Sequence, residues 1–202
     1  MVEIAAGWAF ADAFATEDET IERAREAAHQ FGIEPISPAT GAALALAAAA
    51  GPAAQIIEIG TGTGVSSLWL LKGAPEAQLT TIDEDLDHHQ VARSILQGRR
   101  VRFITGRAQD VLPRMNENAY DLVLVDADQH EVQDHFDTAM RLVRPGGSVL
   151  VARVLQGGKV ANPAKRDRAT VAYRELLKQV RERRSLAGLS IVGDGLLHVV
   201  RR

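Results

Sequence analysis

Apolar residues along the chain follow two alternating patterns. Short runs rich in valine, isoleucine and leucine are separated by longer stretches in which apolar residues return every three or four places. The short runs predict strands at Gln55–Ile59, Leu79–Asp83, Val101–Thr105, Tyr120–Val125 and Ser148–Val151. The longer stretches predict helices at Thr16–Gln30, Thr40–Ala50, Ser66–Lys72, Leu86–Leu96, Ala108–Met115, Val132–Leu142 and Arg166–Arg183. Gly146-Gly147 turns the chain into the fifth strand. Leu189–Val192 and Leu196–Val200, joined through Gly193-Asp194-Gly195, read as a closing hairpin. Strands that alternate with amphipathic helices predict an α/β fold, a doubly wound and mostly parallel seven-stranded sheet with a C-terminal antiparallel hairpin. No repeat or linker divides the chain, so one domain over residues 1–202 is expected. Residues 1–35 form an N-terminal arm and helix. Residues 1–15, with Trp8, Phe10 and Phe14, read as a pocket lid, a dimer contact or a loose terminus.

The first strand runs into Glu58-Ile59-Gly60-Thr61-Gly62-Thr63-Gly64-Val65-Ser66. A buried strand, a glycine turn and a helix start form a cradle for a nucleotide-like ligand, because glycine lets the main chain bend and lets a ligand approach it. The spacing excludes two common versions. A dinucleotide fingerprint counted from Gly60 requires glycine where Val65 stands, and a phosphate-binding loop requires Gly-Lys-Ser/Thr where Gly64 is followed by Val65. What remains is an acid followed by glycine at every second position. An acid at the strand end can orient an amino group, directly or through water.

In a doubly wound sheet, ligands bind beyond the carboxyl ends of the strands, so the residues there are the candidates. Asp83 ends the second strand, about twenty residues past the glycine loop, where a carboxylate can accept two ribose hydroxyls. Arg107-Ala108-Gln109 follows the third strand, where an adenine edge would lie. Asp126 and Asp128 follow the fourth, and packing explains them poorly. His88 and His89 lie on a polar helix and read as solvated.

Composition narrows the picture further. The chain has 202 residues, 46% hydrophobic and 24% charged, and no cysteine, which removes disulfide and thiolate chemistry. The net charge of −3 supplies no field for nucleic acid or an anionic membrane. The Ala42–Ala50 run is too short to span a bilayer, and Glu3, Asp12 and Glu17 stand where a signal peptide carries bases. A cytoplasmic location is expected, with no nucleic-acid or membrane partner.

The order Glu-Ile-Gly-x-x-x-Gly-x-Ser, Thr-Ile-Asp, Gly-x-Ala, Asp-Leu-Val-Leu-Val-Asp-Ala-Asp and Val-Arg-Pro-Gly-Gly resembles the cation-dependent O-methyltransferases, a group within the class I S-adenosylmethionine-dependent enzymes with a Rossmann-like fold. The likeness runs from Ile36-Ser37-Pro38 through Val160-Ala161-Asn162-Pro163 to Val192-Gly193-Asp194-Gly195-Leu196. It implies a methyl donor, S-adenosyl-L-methionine, at Glu58, Gly60, Thr61, Gly62, Ser66 and Asp126. Asp83 would hold the ribose, Ala108 the adenine, and the backbone near Ile36 would close over the pocket. It also implies a small-molecule acceptor and a homodimer.

Two positions depart from that pattern. The family's divalent ion uses the first acid after the fourth strand and an Asp-Asn pair after the fifth. Asp126 is present, but the pair falls on Ala152 and Arg153, and the lysine that often serves as base falls on Gln129. Alanine has no ligand atom and a guanidinium repels metal. No metal is therefore expected. Arg153 either supplies fixed positive charge beside the acceptor oxygen, with His130 as the nearest base, or simply pairs with Asp126. A metal site rebuilt from Asp126, Asp128 and His130 is disfavoured by Arg153 close by. The reading is a metal-free small-molecule O-methyltransferase. The alternative is an S-adenosylmethionine-binding protein with lost or weak catalysis, acting as a sensor or structural partner.

Overall fold

The computed structural model describes residues 2–51, 53–183 and 185–202. Helices α1 (Val2–Phe14), α2 (Glu19–Gln30) and α3 (Pro38–Ala50) precede strand β1 (Gln55–Ile59). Then follow α4 (Val65–Gly73), β2 (Gln78–Asp83), α5 (Leu86–Ile95), β3 (Val101–Thr105), the short α6 (Ala108–Val111) and β4 (Tyr120–Val125). The chain ends with α7 (Val132–Leu142), β5 (Val143–Ala152), α8 (Arg168–Glu182), β6 (Leu186–Ser190) and β7 (Leu196–Val200). The seven strands form one sheet in the order β3-β2-β1-β4-β5-β7-β6. The first five are parallel, and β7 runs antiparallel to both β5 and β6. The expected doubly wound sheet with its terminal hairpin is the observed fold.

Period-two alternation divides the core between the two faces. Ile56, Leu79, Leu122 and Leu150 pack with α2, α3, α4 and α5. Ile57, Ile59, Val123, Val125, Val149 and Val151 pack with α7 and α8. Glu58 shares its face with Ile56, so its carboxylate is turned towards α4. Helices α3 and α4 cross at glycine contacts. A Cβ at Gly41 would lie 2.3 Å from the Trp69 ring, and one at Gly73 would lie 1.9 Å from the Ala45 carbonyl oxygen.

The structure differs from the sequence expectations in several places, and the helix expected over Ala108–Met115 is α-helical only to Val111, with a tighter turn at Leu112–Arg114. The arm is helical through Phe14, and Asp12 accepts a hydrogen bond from the Ala39 N–H at 3.0 Å, which ties α1 to the start of α3. Helix α2 starts at Glu19, three residues later than expected, because Asp18 caps the Thr20 and Ile21 N–H groups. Strand β5 begins before the glycine pair, and residues 144–147 bulge from its pairing with β4. Strand β6 is Leu186–Ser190 rather than Leu189–Val192. All five of its residues are exposed at the sheet edge, so burial left no pattern to fix its register. No helix among the described residues is long and apolar enough to cross a membrane.

Candidate active site

A cavity of about 450 Å³ opens at the carboxyl ends of β1, β2, β3 and β4, where the strand order reverses. Its walls come from the α2–α3 loop, the glycine loop, the ends of β2 and β3, the segment after β4, and Arg153 after β5. Gly60, Thr61, Gly62, Ser66, Asp83, Ala108, Asp126, Ile36 and Arg153 all line it.

Close approach of two strand ends builds the glycine loop. The Gly60 N–H donates to the Ile82 carbonyl at 2.8 Å, and φ is +97° there. A Cβ at Gly60 would sit 2.1 Å from the Asp126 carbonyl oxygen, so only glycine fits. Asp83 clamps the loop from the next strand. Its Oδ2 accepts from the Thr61 and Gly62 N–H groups at 3.0 and 2.9 Å, and its Oδ1 accepts from the Asp85 N–H at 3.0 Å. A carboxylate has about four lone-pair directions, so it keeps capacity for a ligand hydroxyl.

Glu58 lies one layer behind the cavity wall. It is fully buried, and its Oε2 accepts from Ser67 at 2.5 Å and from Thr81 at 2.6 Å. Its Oε1 is buried without a hydrogen-bond partner. Burial pushes its pKa up to about 7, against the charge-stabilising hydroxyls of Ser66, Ser67 and Thr81, and Asp126 raises it further.

Arg153 and Asp126 meet at the other end. Arg153 Nε donates to Asp126 Oδ1 at 2.7 Å, and Nη2 donates to the Glu34 carbonyl at 2.7 Å. The guanidinium therefore joins the end of β4 to the α2–α3 loop. Burial opposes its charge, but Asp126 outweighs that, and the group is held above its ordinary pKa. Arg153 has φ of +60°, a backbone state in which Asn is favoured among residues with side chains. Ala152 and Arg153 offer no oxygen donor, and Arg153 occupies Asp126. These residues do not fit a divalent ion, and no group of three or more acidic, His or Cys side chains among the described residues is arranged to hold one.

His130 is not brought into the site. It is exposed, its side chain does not line the cavity, and its N–H donates to Asp128 Oδ1 at 2.8 Å. His135 lines the cavity instead, with 3% of its surface exposed and neither ring nitrogen partnered. Its Nε2 lies 3.6 Å from Glu131, beyond hydrogen-bond reach, and that carboxylate accepts from Arg107 at 3.2 Å. Burial lowers the His135 pKa against the pull of Glu131, Asp128 and Asp134. The reading of His89 as solvated is corrected. It is fully buried and bonded to Thr61 and Thr105, because the polar helix α5 turns that one face inward beside Ala92.

The comparisons with known proteins agree with this geometry. The family model described as O-methyltransferase matches residues 12–202. A Mycobacterium tuberculosis relative named as an O-methyltransferase is 39% identical over 201 residues, covering 96% of this chain and 90% of its own. Among solved structures, the O-methyltransferase TomG of Streptomyces achromogenes, involved in tomaymycin synthesis and determined with S-adenosylmethionine, superposes with a TM-score of 0.84 at 30% identity, covering 96% of this chain and 94% of its own. An O-methyltransferase from Bacillus cereus in complex with S-adenosylhomocysteine gives a TM-score of 0.84 at 25% identity, with full coverage of both chains. The chain belongs to the O-methyltransferase family, as the motifs implied.

Proposed function

We propose that this chain transfers the methyl group of S-adenosylmethionine to an oxygen of a small molecule without a divalent metal. The observation that carries the metal-free part is the Arg153–Asp126 pair standing where a metal would need oxygen ligands. The residues fit the donor. The unpartnered Glu58 Oε1 and the Ser66 hydroxyl suit its ammonium, the Gly60–Gly62 backbone suits its methionine part, Asp83 the ribose and Ala108 the adenine. Methyl transfer is an in-line displacement in which the acceptor oxygen bonds to the methyl carbon as the C–S bond breaks. Arg153 supplies fixed positive charge for that oxygen through Nη1, which its bonds to Asp126 and Glu34 leave free.

The acceptor's proton has no obvious taker at this end. Gln129 is not a base, His130 lies outside the cavity, and burial keeps the Tyr173 hydroxyl protonated. An acceptor that arrives ionised, such as a carboxylic acid or acidic phenol, suits such a site. The second reading, donor binding with weak catalysis, draws on the same Arg153, since its bonds to Asp126 and Glu34 also close the space an acceptor would need.

Calorimetric titration with S-adenosylmethionine and S-adenosylhomocysteine, first with Mg²⁺ and then with chelator, tests the reading. Micromolar binding unaffected by chelator is expected, and a requirement for Mg²⁺ would overturn the metal-free part. Methyl transfer to a panel of phenols and carboxylic acids separates the enzyme from the binding protein. Residues 1–202 act as one unit, with the α2–α3 loop as the cap over the donor. Two copies pair through the exposed Trp8, Phe10 and Phe14 of α1 and the exposed Leu46 of α3. Light scattering is expected to show a dimer that the Phe10→Asp, Phe14→Asp variant converts to monomer.

A further inference from the structure

Behind Glu58 runs an unbroken chain of polar groups, buried as far as His89 and ending at the exposed Thr105. Thr81 Oγ1 lies 2.6 Å from Glu58 Oε2 and 2.6 Å from Thr61 Oγ1. Thr61 Oγ1 lies 3.0 Å from His89 Nε2, and His89 Nδ1 lies 2.8 Å from Thr105 Oγ1. Each hydroxyl has one hydrogen and neutral imidazole has one N–H, so every contact fixes the next. If Glu58 is ionised, Thr81 must donate to it, Thr61 to Thr81, and His89 to Thr61 from Nε2, leaving Nδ1 to accept from Thr105. If Glu58 is neutral, its proton on Oε2 has two hydroxyl partners, Ser67 and Thr81. When it donates to Thr81, the whole order reverses, with His89 carrying its hydrogen on Nδ1.

Below about pH 7 the neutral state is favoured without ligand. Oε1 makes no hydrogen bond of ordinary geometry, with only the neutral Ser66 hydroxyl beside the carboxyl group, no cation bonds to it, and Asp126 at the end of β4 repels its charge. The other charged groups around it do not offset this. Asp83, ending β2, holds the glycine loop, Arg153 is engaged by Asp126, and burial disfavours the charged form of His89 on α5. The facing residues of α4, Ser66 and Ser67, bear no charge.

We propose that Glu58 and this chain form a proton-linked subsite for the donor's ammonium. The ammonium docks through the Ser66 hydroxyl that lines the cavity in front of Glu58, the carboxyl proton leaves to solvent, and the chain reverses so that His89 passes from its Nδ1–H to its Nε2–H tautomer. The inference rests on the S-adenosylmethionine reading above. His89 is a positioning residue, acting on the ligand only through Thr61, Thr81 and Glu58.

Titration of S-adenosylhomocysteine into the whole protein in two buffers of different ionisation enthalpy tests this between pH 5.5 and 7.5. At pH 6 close to one proton is expected to be released per ligand bound, with affinity about tenfold weaker than at pH 7.5. Glu58→Gln, which imitates the neutral acid, is expected to release none and to lose the Glu58 part of the pH dependence. Nitrogen NMR of His89 in wild-type protein is expected to show the tautomer change on saturation. Binding without proton release, release that persists in Glu58→Gln, or an unchanged His89 tautomer overturns the proposal and leaves the donor assignment standing. Absence of binding at every pH would instead overturn the donor assignment.

Discussion

Arg153 combines a backbone suited to one residue type with a side chain of another. Its φ of +60° is the state that Asn tolerates best, and Asn is the residue that the family resemblance implies there. Arginine accepts the strained backbone and in return gives Asp126 a partner at 2.7 Å. Replacing it with Met keeps the bulk and leaves Asp126 unpaired. Arg153→Met is expected to destabilise the protein by about 2–4 kcal/mol, and Asp126→Asn with Arg153→Met by less than the sum of the single changes. Urea denaturation of the four proteins measures the coupling, and simple additivity would mean that the pair is not a working ion pair. The loop glycines, Asp83 and Asp126 were legible in the sequence, because strand ends in a parallel sheet point to one place. The histidines were not. His130 and His135 lie on one short segment, but the turn at Gln129–Glu131 ends where α7 begins at Val132. That phase puts His135 on the buried face with Val132, Phe136 and Ala139, and leaves His130 outside. The helix start at Val132 was read correctly, but His135 falls on the apolar stripe of α7, where a histidine reads as core rather than as cavity wall.

At the scale of elements, Asp121 joins three strands. Its Oδ2 accepts from the Ala54 and Gln55 N–H groups at 2.7 Å each, where β1 begins, and its Oδ1 accepts from Arg144 in the β5 bulge. Burial works against its charge, but Arg144 and the two N–H groups outweigh burial and hold its pKa below the ordinary value. A carboxylate with a lowered folded-state pKa gives stability that is present above the unfolded value, about 4, and lost as pH falls through the folded one. Asp121→Ala is expected to cost about 1–3 kcal/mol at pH 7, and less at pH 3. An equal cost at both pH values, by chemical denaturation, would show that charge plays no part. Strands β1, β2, β4 and β5 were legible because burial on both faces leaves continuous apolar runs. The edge strand β6 was not, because every residue of it is exposed and its register is set instead by the hairpin loop. Gly193 in that loop sits where a Cβ would lie 2.4 Å from Thr40 Oγ1, a tertiary contact with no local signature.

For the molecule as a whole, the buried acid under the glycine loop sets folding against binding. Glu58 has a folded-state pKa of about 7 against an ordinary value of about 4.3. A raised carboxylate works opposite to Asp121. Its contribution is fully present below the unfolded value and is lost as pH rises through 7, by on the order of 3 kcal/mol across that window. The ligand-free protein is therefore expected to lose stability relative to Glu58→Gln between pH 5 and pH 8. Thermal unfolding of both proteins across that range measures the divergence. Parallel profiles would mean that Glu58 is already ionised in the empty protein, with a counter-charge not accounted for by Ser66, Ser67 and Thr81. A divergence that closes when S-adenosylhomocysteine is added would place the missing positive charge on the ligand. The site is then unstable by itself at neutral pH, and an ammonium bound at Glu58 restores what the fold gave up to bury the acid there.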